Sequence, residues 1–107
     1  MEKGGERRSA EIAKAFARAR AEYPQYVDEH VLWERGWWND GDDIDAIIMT
    51  YLNPPEVVLR YRLTGNDQDS EISLYERERV EMLERTDPDL IQHMQSVRAR
   101  REREAQA

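Results

Sequence analysis

Residues 53–65 read NPPEVVLRYRLTG, and two secondary structures compete for them. The end signals favour a helix. Asn53 can cap it, Pro54 suits a first helical position, Glu56 follows Asn53 at capping-box spacing, and Gly65 would close it. The periodicity favours a strand, because Val57, Leu59, Tyr61 and Leu63 alternate with Val58, Arg60, Arg62 and Thr64. With GNDQDSE as loop and ISLY as return strand, this second reading makes a β-hairpin around residues 57–75. Because signals at both ends agree on the helix, the expected fold is all-α, a compact bundle of about five helices. An α+β fold carrying the hairpin is the alternative.

Upstream, Ile44, Ile47, Ile48, Tyr51 and Leu52 recur at the offsets of one helical face, the cleanest helix signal in the chain. Asp42 or Asp40 is its natural N-cap, since a short carboxylate accepts a hydrogen bond from a first-turn N–H. Before that, ERRSAEIAKAFARARAEY carries a narrow apolar stripe of Ile12, Phe16, Ala19 and Tyr23 and predicts a helix ended by Pro24. Residues 24–36 predict another, started by Pro24 and stopped by Gly36. Downstream, Ser73 and Glu76 have capping-box spacing ahead of a helix to Arg85, and Asp87 with Pro88 starts the last one, whose buried face is Leu90, Ile91, Met94 and Val97. The expected organisation is a flexible leader over 1–5, one helical domain over 6–97, and a solvated Arg/Glu-rich helical tail over 98–107. The expected core is Ile12, Phe16, Val31, Ile44, Ile47, Ile48, Tyr51, Leu83, Leu90, Ile91 and Met94.

Composition narrows the function. The 107 residues contain no cysteine, which excludes disulfides, thiolate nucleophiles and Cys-based metal centres. No apolar run is long enough to span a bilayer and the N-terminal stretch lacks a signal-peptide core, so a cytoplasmic protein without membrane contact is expected. The net charge of -7 is uneven: residues 1–35 hold seven basic and seven acidic groups, 36–71 two and eight, and 72–107 seven and eight. Any steering field therefore belongs to the middle third and would act on a basic partner.

Four aspartates, Asp40, Asp42, Asp43 and Asp45, sit beside Trp37 and Trp38. Counted as a calcium loop from Asp40, the closing ligand position falls on Tyr51, so the cluster reads as a helix start rather than a metal site. Asp67, Asp69, Glu71 and Glu78 also mimic calcium-loop spacing, but Ile72 stands where that loop needs glycine. No metal and no cofactor is expected. His30 and His93 belong to no catalytic motif, so the chain is read as a non-enzyme and both histidines as core-edge groups. The expected function is a protein-binding or assembly module. Trp37, Trp38, Asp40, Asp42, Asp43 and Asp45 would form the contact, one indole more exposed than the other, with a basic partner or a second copy. Two alternatives stand beside it: an acidic decoy that inhibits a basic nucleic-acid-binding protein, and a weak nucleic-acid binder through Arg98, Arg100, Arg101 and Arg103, disfavoured because Glu102 and Glu104 interrupt the cluster.

Overall fold

The structure, a computed structural model, describes residues 2–65 and 68–106. Among these the chain forms five helices and three strands, in the order α1 (Glu2–Glu22), β1 (Tyr26–Val27), α2 (Glu29–Arg35), α3 (Ile44–Tyr51), β2 (Val57–Tyr61), β3 (Ser70–Glu76), α4 (Arg77–Thr86) and α5 (Pro88–Gln106). The fold is α+β, which overturns the all-α expectation. The three strands make one antiparallel sheet in the order β1-β3-β2.

The hairpin forms because alternation is what the first helix needs opposite it. Val57, Leu59 and Tyr61 lie on the half-buried face of β2, across from the α1 stripe of Ile12, Ala15, Phe16 and Ala19, while Ile72 and Leu74 of β3 complete that cluster. A helix over the same residues would spread Leu59 and Tyr61 about 200° apart and could not present one flat apolar face. Register is direct, with Val57 opposite Leu74, Leu59 opposite Ile72 and Tyr61 opposite Ser70. The capping groups that argued for a helix have other duties. Glu56 accepts a hydrogen bond from Glu76 N at 2.8 Å and pairs with Arg79 at 2.6 Å, and Arg79 Nη2 donates to the carbonyls of Leu52 and Pro54. Burial pushes the Glu56 carboxyl up, but the Arg79 guanidinium and the Glu76 N–H outweigh it and hold its pKa below the ordinary value. Gly65, at φ +85°, turns the chain out of the strand instead of closing a helix.

Three other boundaries are corrected. The helix expected from Pro24 begins at Glu29, because Tyr26 and Val27 pair with Glu76 and Tyr75 as a short strand and Asp28 supplies the cap. The helix expected from Ser73 begins at Arg77, since residues 70–76 belong to the sheet. Residues 2–5, expected as a leader, lie in α1; Met1 is outside the described residues. Gly36 does end α2, at φ 96°, and Asp87 does cap α5, accepting from Asp89 N at 3.0 Å and Leu90 N at 3.1 Å.

A second and larger cluster lies among the helices: Val27, Leu32, Trp37, Trp38, Leu52, Tyr75, Val80 and Leu90 are buried there. Asp28 links the two clusters. Fully buried, it accepts from His30 N and Val31 N as the cap of α2 and receives Arg20 of α1 at 2.9 Å; that hydrogen bond raises the Arg20 pKa despite opposing desolvation. His30 stacks on Phe16 with ring centroids 4.2 Å apart.

Candidate surface around the 36–43 loop

The loop between α2 and α3 gathers most of the residues that the sequence marks as a candidate site. Gly36 reverses the chain, and Trp37 and Trp38 follow in irregular backbone. Freed from strand alternation, both indoles turn inward. Trp37 has no exposed surface and Trp38 only 4%, so the expectation that one would be exposed does not hold. The Trp37 indole N–H donates to Glu84 at 2.8 Å, which satisfies the one polar atom that burial would otherwise strand. Glu84 also receives Arg35, whose pKa this hydrogen bond raises against the opposing effect of burial. His93 Nε2 donates to the Trp37 carbonyl at 2.8 Å, since a carbonyl can only accept.

The aspartates divide by task. Asp43, not Asp42 or Asp40, caps α3, accepting from Ala46 N at 3.1 Å. Asp42 closes a turn by accepting from Asn39 N at 2.9 Å, with Gly41 at φ 90° between them, and binds Arg100 through two bonds of 2.9 Å. The Arg100 guanidinium, helped against desolvation by the Asn39 N–H, holds the pKa of the Asp42 carboxyl down at about 2. Asp40 and Asp45 remain exposed.

The tail expected to be solvated is helical and exposed at most of its described positions, but one side of it is docked on this loop. Arg101 donates to the carbonyls of Trp33 at 2.7 Å and Trp38 at 2.6 Å and lies 4.4 Å over the Trp33 ring, while Asn39 Nδ2 donates to Glu104 at 3.2 Å. Helical geometry splits the arginine cluster. Arg100 and Arg101 face the loop, whereas Arg98 and Arg103 face solvent.

The tryptophan at the surface is Trp33, which the expected contact set left out. Trp33 is 41% exposed, and beside it Ile44, the first residue of α3, is 37% exposed instead of joining the core. The two line one depression of about 370 Å³ together with Glu29, Trp38, Asp40 and Gly41. The signal was present: Leu32 belongs to the core face of α2, and its neighbour, about 100° further round the helix, has to point elsewhere.

Two ion pairs lie apart from this surface. Asp69 pairs with Arg62 at 3.0 Å and Glu71, in β3, with Arg60 at 3.5 Å, while Asp67 of the calcium-like pattern is outside the described residues. No group of three or more metal-ligating side chains occurs among the described residues, nor does any of their helices have the length and apolar character to cross a membrane. No protein-family model, curated protein or solved structure matches the chain.

Proposed function

We propose that this chain is a non-enzymatic protein-binding module, and that its contact surface is the depression between α2 and α3, with Trp33 and Ile44 as apolar anchors, Glu29 and Asp40 as an anionic rim, and the exposed Asp45 following Ile44 outside the lining. One observation carries the reading: α3, the most apolar helix, has no fully buried residue, and its start lies beside an exposed indole. Met49, further along α3, is 65% exposed. A helix left this open gains from being covered, and the neighbouring acids favour a partner that brings lysine or arginine with its apolar groups. Trp37 and Trp38 serve the site from beneath by fixing the loop that carries Asp40. A cytoplasmic setting suits the reading, as the chain has no cysteine to form a disulfide.

The acidic-decoy alternative draws less support. It requires the anionic field of residues 36–71 to stand open, yet Asp42, Glu56, Asp69 and Glu71 each face an arginine. The nucleic-acid alternative loses Arg100 and Arg101 to the loop in the same way.

The test is capture of a partner from the cells of origin by wild-type protein, followed by calorimetry with the identified partner. Trp33→Ala is expected to weaken binding by ~2 kcal/mol, about 30-fold in Kd, as an interface anchor does. Ile44→Lys, which leaves the Arg101 stack intact, should do the same. Unchanged affinity in both variants would overturn the assignment.

A further inference from the structure

A second surface, of opposite character, lies on the other side of the molecule's chemistry: a groove of about 430 Å³ between α1 and β2. β2 ends the sheet, so one of its edges has no strand beside it among the described residues. Leu59 to Arg62 line the groove as four consecutive residues, which is the edge of the strand itself, and α1 provides the facing wall through Lys14, Ala15, Arg18 and Ala19. The small Ala15 and Ala19 leave the floor to Leu59, Tyr61 and Ile72, so the groove is apolar at its base. Its rim carries four basic groups against the carboxylates of Glu11 and Glu22. Lys14 and Arg18 stand on the helix, Arg60 lies on the exposed face of β2, and the exposed Arg62 follows the last residue of that strand. On a chain of net charge -7 the groove's own lining, four basic side chains and two acidic, is modestly positive.

We propose that this groove binds an extended acidic peptide segment as an added strand along β2. An exposed strand edge offers unpaired N–H and C=O groups, and strand addition satisfies them while side-chain pockets choose the sequence. The chemistry of the occupant follows from the alternation of a strand. Residues turned toward α1 meet Leu59, Tyr61 and the two alanines and are apolar; residues turned the other way meet Arg60 and Arg62 and are Asp or Glu. Lys14 and Arg18 stand on the α1 side, where the occupant is apolar, so they add positive field at the rim while the carboxylates pair with the strand arginines. The present partners of these arginines do not hold them. Arg18 pairs with Glu22, Arg60 with Glu71 and Arg62 with Asp69 at the surface, where an ion pair contributes little and exchanges readily. Glu11 is engaged by the Thr64 N–H and hydroxyl and so does not compete at the groove.

Selection of a random dodecapeptide library displayed on phage against the intact chain tests this. The expected consensus alternates apolar residues with Asp or Glu. A synthetic peptide of that consensus should shift the backbone amide resonances of residues 57–61, and Arg60→Glu/Arg62→Glu should bind it about tenfold more weakly at low salt, with a smaller loss in Lys14→Glu/Arg18→Glu. All four positions are outside the core, and unchanged circular dichroism will confirm that the variants fold. Trp33→Ala should bind the peptide normally, which separates this groove from the surface around the 36–43 loop. Failure to enrich any peptide, a basic or unpatterned consensus, or affinity indifferent to both double variants would overturn the proposal. So would sedimentation showing that β2 pairs instead with β2 of a second copy.

Discussion

α3 and the last turns of α5 border the same loop and are held in opposite ways. The apolar α3 (IDAIIMTY) buries none of its residues fully, whereas the end of α5 (RREREAQ), without one large apolar side chain, is fastened by Arg100, Arg101 and Glu104. Hydropathy says how much a segment would gain from being covered; it does not say whether anything covers it. Arg101 is secured by two main-chain carbonyls and the Trp33 π-face, and the carbonyls, unlike the ring, are independent of the sequence that carries them.

The contrast can be broken from its foundation. Trp37 sets the loop against which both segments lie, so Trp37→Ala should cost ~3–5 kcal/mol in urea denaturation, the scale for emptying a buried aromatic site. A loss under ~1 kcal/mol would mean that the loop is not fixed from beneath. Next in size, Arg101→Ala should destabilise by ~1.5–3 kcal/mol, the range for charge-assisted hydrogen bonds, even though it lies in a segment that reads as solvated. If the cost is within ~0.5 kcal/mol, typical of a free surface position, the docking has no energetic weight.

Asp42 sharpens the same point through pH. Its carboxyl is held below the ordinary value, so it contributes stability above about pH 4, and that contribution is lost as the pH falls through about 2. Asp42→Asn should therefore cost ~1 kcal/mol at neutral pH, and the gap from wild type should close between about pH 4 and pH 2 in thermal denaturation followed by circular dichroism. A gap that persists unchanged at pH 2 would show that the charge is not what Arg100 reads. The smallest effect belongs to α3. Met49→Lys should alter stability by less than ~0.5 kcal/mol, as at any open surface site, and a larger loss would mean that the helix is better covered than its exposure indicates.

What could be read in the sequence was local. The α3 spacing, the glycine after α2 and the Asp87-Pro88 start of α5 each depend on a few adjacent residues, and each is where it was expected. The alternation of Val57, Leu59 and Tyr61 was equally legible, but Asn53, Pro54 and Glu56 offered a consistent rival because capping groups are identified by type and not by what they finally bond. β1 was hidden by its length, since two residues have no period. The site was only half visible. Its aspartates stood out, but the pairing of Asp42 with Arg100 spans 58 residues, and no local pattern tells an arginine that docks from one that does not. The adjacent Trp37 and Trp38 drew attention from Trp33, although the position of Trp33 next to Leu32 in α2 already turned it outward.

Arg101 over the Trp33 ring has a practical consequence. The three indoles occupy separate surroundings, Trp37 dry and bonded to a carboxylate, Trp38 dry beneath a main-chain contact, and Trp33 wet under a cation. Light emitted by Trp33, the one indole of the three with a large exposed surface, is the emission most sensitive to anything covering that depression, so the chain carries its own optical gauge for a binding test without any attached dye.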